Sequence, residues 1–180
     1  VLLFMCMLIY ESENLSRRQR RGFLRTYILI AAISILEVIT VVVDRTPPEY
    51  RLVNLLTNYL GFGLTPAVPL CLVQILDKRG KALRIRKAAA LIWLGYVVFL
   101  AASLPSGRVF GVTADNVYFR GRHFHVYVVM FAAGIVYLAM ATAASAIFYQ
   151  NRSRILIYPL MGFLILGMLI QLAFPQIHTT

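Results

Sequence analysis

Residues 52–76, LVNLLTNYLGFGLTPAVPLCLVQIL, decide how this chain folds. The stretch contains no charged residue. As a helix that rises about 1.5 Å per residue, it is long enough to cross the hydrocarbon core of a bilayer, which is about 30 Å thick. Asn54, Thr57 and Asn58 share one face of such a helix, because they are three and four residues apart. The stretch therefore predicts a membrane helix with one polar face.

Two glycines and two prolines follow this polar face: Gly61, Gly63, Pro66 and Pro69. Each interior proline lacks the N–H that an α-helix needs and crowds the preceding turn, so these residues predict a kink or break near mid-membrane. A broken helix persists in lipid only where other helices cover its backbone or where it lines a cavity. We therefore expect this element to lie inside a bundle, with the other helices around it.

The composition is typical of an α-helical integral membrane protein. Of the 180 residues, 60% are hydrophobic and 14% are charged, whereas soluble domains have about 25% charged residues. A water-soluble fold of this length cannot bury so much apolar surface, and the strand alternation of a membrane barrel is absent from the sequence. The cysteines, Cys6 and Cys71, lie in apolar runs, and we interpret them as small buried hydrophobes.

Apolar runs divide the chain into six predicted spans, of which the first is too short to cross a bilayer. We interpret residues 1–10 as the end of a truncated first helix. Full transmembrane helices are predicted at residues 22–43, 52–76, 88–104, 126–149 and 155–174. The predicted fold is an all-α membrane bundle of five full helices and the truncated first one. It forms a single transmembrane domain over residues 1–180 that is cut at both ends.

The longest polar interruption, at residues 105–125, predicts a small β-hairpin between the fourth and fifth spans. Residues 108–113 and 117–120 flank a turn-prone sequence, Ala-Asp-Asn. We expect the hairpin to lie on the outer, extracytoplasmic membrane surface. Its candidate functional residues are Asp115, Asn116, Tyr118 and Arg120.

Lysine and arginine gather on one side of the predicted topology. The connections around residues 11–21, 77–87 and 150–154 hold thirteen of the 18 basic residues. By the positive-inside rule these three loops are cytoplasmic, and the hairpin lies outside. Topology therefore explains the net charge of +11, so the expected environment is a lipid bilayer and we predict no nucleic-acid partner.

Glu37 is the only acidic residue deep in a predicted helix, where charge is costly and residues are often functional. It lies seven residues before Asp44, at the outer end of the second span. Asn58 lies seven residues after Arg51, at the outer end of the third, so Glu37 and Asn58 should both lie about 10 Å below the outer surface. We expect them to meet, with Asn54 one turn above, in an outward-facing ligand or proton-sensing pocket. A structural hydrogen bond between helices is the alternative interpretation.

The sequence offers no support for catalysis, a cofactor or a metal. Gly61 and Gly63 lie in a membrane helix and lack the rest of any phosphate-binding motif. No serine has a histidine and an aspartate at plausible reach in the same layer. His123 and His125 would share one face of a strand, but two histidines without a third ligand are a weak metal site, and interfacial side chains are the favoured interpretation.

Four segments carry a resemblance to a known family: NLSRRQRRGFL at residues 14–24, TPAVPL at 65–70, DNVYFRG at 115–121, and the run from NRSRIL to IQLAFPQI at 151–177. Through them the chain resembles the N-terminal, seven-helix type of membrane sensor region in bacterial GGDEF (diguanylate cyclase) proteins and histidine kinases. The resemblance implies an input region of the bacterial inner membrane, fused to a cytoplasmic output domain, with a second copy as a candidate partner. The seventh helix and the output domain lie outside the 180 residues, so no enzymatic activity is implied for this chain.

We therefore interpret the chain as a signal-input module that senses an extracytoplasmic or intramembrane cue. The break at Pro66 and Pro69 would be its bistable element. A small-solute transporter is the rival interpretation, because discontinuous helices with polar groups at mid-membrane also form substrate sites. A structural membrane anchor without a ligand is the third.

Overall fold

The structure, a computed structural model, describes residues 17–76 and 83–146, with side chains described for residues 20–74 and 87–141. The described elements are α1 (Arg17–Val43), α2 (Arg51–Leu64), α3 (Ala67–Leu76), α4 (Leu83–Ser103), β1 (Phe110–Val112), β2 (Tyr118–Arg120) and α5 (His125–Ala146). A 3-10 turn at Pro48–Tyr50 precedes α2, and another at Leu104–Ser106 follows α4. The first and sixth predicted spans and the loop at residues 150–154 lie outside the described residues.

Three helical stretches are long and apolar enough to cross a membrane: Arg20–Val43, Pro48–Gln74 and Lys87–Ser106. A shorter apolar helix covers His125–Ala141. The prediction of a mainly helical chain with membrane-compatible helices is confirmed at this level. Two helices begin earlier than predicted, because α1 starts at Arg17 and α4 at Leu83. Some basic residues that were predicted to lie in loops therefore form the first turns of helices.

The third predicted span consists of two helices, α2 and α3, which Thr65 and Pro66 separate. Thr65 donates both its backbone N–H (3.0 Å) and its hydroxyl (2.7 Å) to the carbonyl oxygen of Gly61. Pro69 has no N–H to donate to the Thr65 carbonyl, which accepts from Val68 at 3.2 Å instead. The threonine and the prolines thus end α2 and restart the helix within two residues.

Two side chains of α4 complete the hydrogen bonding at the break. The Tyr96 hydroxyl donates to the carbonyl oxygen of Phe62 (3.1 Å), to which Pro66 has no N–H to offer. The indole of Trp93, the only tryptophan in the chain, donates to the carbonyl oxygen of Gly63 (2.9 Å). The last carbonyls of a helix lack intrahelical partners, and leaving them unpaired in lipid is costly. These two bonds therefore tie α4 to the break.

Replacing Trp93 or Tyr96 by phenylalanine is expected to lower the free energy of unfolding by about 1–2 kcal/mol each. Either change keeps an aromatic ring but leaves one α2 carbonyl without its donor. Equilibrium unfolding in mixed detergent micelles, followed by circular dichroism, measures the loss. Tyr59→Phe is the matched control, because the Tyr59 hydroxyl makes no hydrogen bond among the described residues. Equal stability of all three variants would contradict the assignment.

The broken element lies at the centre of the described helices, and α1, α4 and α5 each pack against it. Half of the apolar window in Pro48–Gln74 is buried, against 11% in Arg20–Val43 and 17% in Lys87–Ser106. A Cβ on Gly134 of α5 would lie 3.3 Å from Cγ of Pro69. The small residue lets α5 approach the break closely, so the prolines are buried.

The predicted hairpin is present, and one of its strands packs into the protein core. Its antiparallel strands pair Phe110 with Arg120 and Val112 with Tyr118, within the predicted segments. All of β1 is buried, and its first residue joins a core cluster of Tyr96, Leu100, Val109, Phe110 and Tyr127. The apolar strand β1 is shielded from solvent because it packs against α2 and the core cluster, whereas Asp115 in the hairpin turn is exposed. The position of the hairpin at the outer membrane surface stays a prediction.

Candidate functional site

Asn116 is the centre of a buried polar cluster that joins the hairpin to α1 and α2. Its Nδ2 donates to the carbonyl oxygens of Val43 (2.8 Å) and Thr46 (3.1 Å) and to Oγ1 of Thr46 (3.0 Å). Its Oδ1 accepts from Nδ2 of Asn54 at 2.9 Å. Its φ of 57° lies in the left-handed region, which asparagine adopts more readily than most residues. One side chain thus closes the end of α1 and holds the hairpin against α2.

Asp44 and Asn54 extend this cluster. Oδ1 of Asp44 accepts from the backbone N–H of Tyr118 (2.8 Å) and from Nδ2 of Asn54 (3.3 Å). Oδ2 of Asp44 lies 3.8 Å from Nε of Arg45. Asn54 itself is fully buried. Its Oδ1 accepts from Nδ2 of Asn58 at 2.8 Å, so the hydrogen-bond network continues along α2. The structure therefore joins three predicted site residues, Asn54, Asn58 and Asn116, in one network.

The predicted contact between Glu37 and Asn58 is not made. Asn58 donates its Nδ2 to both the carbonyl oxygen and Oδ1 of Asn54, each at 2.8 Å. A partner one turn away on the same helix lies nearer than one on a neighbouring helix, so the local bond is made. Glu37 is exposed and has no hydrogen-bond or ion-pair partner among the described residues. Glu37 and Asn58 nevertheless line the same cleft.

This cleft lies between α1, α2, the hairpin and α5, with an empty volume of about 530 Å³ that includes its open mouth. The centres of water molecules can occupy about 40 Å³ of it, which is room for a few waters. One wall carries Glu37 and Thr40 of α1 and Asp44 directly after it, at spacings of three and four residues that place them on one face. The opposite wall carries Thr57 and Asn58 of α2.

Aromatic rings and the helix break close the rest of the cleft. Phe62, Tyr118 and Tyr127 line it, and the Phe62 centroid lies 4.9 Å from that of Tyr127 and 6.2 Å from that of Tyr118. Burial raises the pKa of Tyr118 to about 12, although the neighbouring Arg120 opposes the shift. The Tyr118 hydroxyl therefore stays protonated near neutral pH. Gly61 and Thr65 also line the cleft, at the point where α2 ends.

Two further predicted site residues, Asp115 and Arg120, do not line the cleft. Asp115 is exposed in the hairpin turn, and the guanidinium of Arg120 lies 4.6 Å from the ring centroid of Phe124. His123 and His125 precede and begin α5 instead of lying in a strand, with ring centroids 5.8 Å apart. Within the described ranges, no three metal-ligating side chains lie together.

Sequence reasoning missed several lining residues. The spacing of Glu37, Thr40 and Asp44 was a readable signal, because it repeats the polar-face pattern of α2 on a second helix. Nothing in the sequence around Tyr127 or Phe62 separates them from other aromatic residues of the spans. Their place in the cleft follows from packing alone.

Comparison with protein-family models, with curated proteins and with solved structures found no match. The resemblance to bacterial sensor regions therefore stays a prediction.

Proposed function

We propose that this chain is the membrane-embedded input module of a signalling protein. Occupancy of the cleft changes the helix break, and the change passes to a cytoplasmic output domain, of diguanylate cyclase or histidine kinase type, beyond the 180 residues. In this proposal the chain is a multi-pass protein of the bacterial inner membrane with five full transmembrane helices. The loops at residues 11–21, 77–87 and 150–154 face the cytoplasm.

One observation supports the proposal above the others: the cleft and the break share residues. Gly61, Phe62 and Thr65 line the cleft. The same three residues supply the groups that end α2, since Thr65 bonds to the Gly61 carbonyl and the Phe62 carbonyl accepts from Tyr96. A molecule in the cleft would therefore touch the break without any intermediate.

The route from the break to the cytoplasm is α4. A ligand that moves Phe62 also moves its carbonyl oxygen, which accepts from Tyr96, and the adjacent carbonyl oxygen of Gly63, which accepts from Trp93. Both donors lie on α4. The far end of α4, at Leu83, adjoins the loop that we place in the cytoplasm. A ligand can shift such an element only if it binds the two arrangements with different affinity. Contact with the break itself supplies that difference.

Restoring two backbone donors at the break tests this proposal. The double variant Pro66→Ala/Pro69→Ala is expected to join α2 and α3 into one helix, because residue 66 can then donate to the Phe62 carbonyl and displace Tyr96. Trp93, next to this site, should change its emission in lipid nanodiscs, and the output of the protein that carries this module should stop responding to its cue.

Pro105→Ala is the matched control, because Pro105 is exposed in the 3-10 turn after α4 and lies outside the cleft. Unchanged Trp93 emission together with an unchanged response in the double variant would refute the proposed role of the break.

The rival function, small-solute transport, predicts a second broken helix in a paired position. In the described part of the chain, α1, α4 and α5 are each continuous. The gene sequence beyond residue 180 separates the two functions. An output domain after one more span supports the sensor, whereas further apolar repeats support the transporter.

A further inference from the structure

We propose that the cleft binds a small primary amine in its ammonium form, held by Glu37 and by the aromatic wall of Phe62, Tyr118 and Tyr127. The inference rests on the proposed function and names the chemical class of the cue. Three independent features of the cleft lead to it: its charge, the direction of its hydrogen bonds, and its rings.

The cleft is acidic. Glu37 and Asp44 line it, and no lysine or arginine is among the described residues that do so. Asp44 is occupied, because its oxygens accept from Tyr118 and Asn54 and lie near Arg45, and its side chain is only 9% exposed. Glu37 is the carboxylate that remains available. A charge at membrane depth is costly without a counter-charge, and a bound cation supplies one.

The uncharged polar groups of the two helix walls face the cleft mainly as acceptors. The hydroxyls of Thr40 and Thr57 donate to the carbonyls of Leu36 and Val53 on their own helices, each at 2.9 Å. Asn58 donates its amide hydrogens to the carbonyl oxygen and Oδ1 of Asn54. What these side chains can still offer a ligand is therefore oxygen lone pairs. A ligand that donates in several directions fits this lining, and an ammonium group carries three N–H donors.

The aromatic wall favours the same ligand. A cation within about 6 Å of a ring centroid is attracted by the ring face, most strongly where water is excluded. The same aromatic cluster already packs against a cation, because the guanidinium of Arg120 lies 4.6 Å from the ring centroid of Phe124. Phe124 in turn packs edge-on against Phe62, with centroids 5.6 Å apart. The small space open to water limits the ligand to a few non-hydrogen atoms.

Isothermal titration calorimetry of the 180-residue chain in lipid nanodiscs tests the inference, with ethylammonium chloride as the probe at neutral pH and constant ionic strength. Saturable binding is expected, and Glu37→Gln should weaken it about tenfold or more. Glu49→Gln is the matched control, because Glu49 is an exposed carboxylate outside the cleft and its loss should leave the affinity unchanged. Thr57→Val, which removes one acceptor at constant shape, should weaken binding about threefold to tenfold.

Three results would overturn the inference: no saturable binding of ethylammonium, equal affinity of the parent chain and Glu37→Gln, or acetamide binding as tightly as ethylammonium. If Glu37→Gln does not fold, the test depends on Thr57→Val. An unchanged affinity of Thr57→Val for ethylammonium would then overturn the inference. Failure of the proposed function has a different signature. Ethylammonium would then bind with the expected dependence on Glu37, while Trp93 emission and the output stayed constant.

Discussion

Replacing Asn116 by alanine is expected to lower the free energy of unfolding of the chain by about 3 kcal/mol. The change deletes the donor to Val43 and Thr46 and the acceptor for Asn54, all within a buried cluster. It also puts a Cβ without polar atoms into the left-handed backbone region. Equilibrium unfolding in mixed detergent micelles, followed by Trp93 emission and circular dichroism, measures the effect.

Two further variants separate the hydrogen bonds from the backbone at this position. Asn116→Gly relieves the left-handed conformation but removes the same bonds, so it should still cost about 2 kcal/mol. Asp115→Ala, at the exposed neighbouring position, should change stability by less than about 0.5 kcal/mol. A glycine variant as stable as the parent would show that the cluster does not hold the hairpin.

Replacing Gly121 by alanine is expected to lower the free energy of unfolding by about 3 kcal/mol or more, because the new methyl group would clash with neighbouring backbone. Its Cβ would overlap the carbonyl oxygens of Gly107 and Arg108, which belong to the backbone that leads into β1. The segments cannot separate freely, since Gly121 donates to Val109 at 2.9 Å and His123 donates to Arg108 at 2.8 Å. The same unfolding measurement applies, and lost protection of the hairpin amides in hydrogen exchange would locate the damage.

Gly95→Ala is the matched control for this substitution. A Cβ at Gly95 meets no heavy atom within 4 Å, and the residue lies inside α4. Alanine there should be neutral or stabilise the chain by about 0.5–1 kcal/mol, because glycine weakens helix interiors. Similar losses in the two variants would mean that the close approach at Gly121 is unimportant.

Local patterns in the sequence were sufficient to predict the helices, the helix break and the hairpin. The apolar runs indicate the helices, Pro66 and Pro69 indicate where the third span breaks, and the turn-prone residues 114–116 indicate a hairpin. Each of these is a short-range effect of backbone chemistry, such as a missing N–H or a residue that tolerates a turn. Element boundaries were less accurate, because helix ends depend on capping and on what surrounds them.

Hydrogen-bond partners on distant segments were not predictable from these local patterns. Asn54 pairs with Asn116, 62 residues away, as well as with Asn58 on its own helix, whereas the Glu37–Asn58 contact that helix periodicity suggested is not made. Polar residues on one helix face are predictable from spacing, but several neighbours can satisfy each of them. The hairpin could be read from its turn, whereas its insertion into the core depends on the space that α2 and α4 leave for Phe110.

The sequence by itself determined that the chain has membrane-compatible helices, a proline break in the third span and a hairpin before the last described helix. Only the tertiary structure decided that the break is closed by Trp93 and Tyr96 of α4, and that an acidic cleft ends on the same residues. The physical reason is the distance along the chain over which each effect acts. A proline acts on the turn that contains it, whereas a hydrogen bond between distant segments forms only after packing has brought donor and acceptor within about 3 Å.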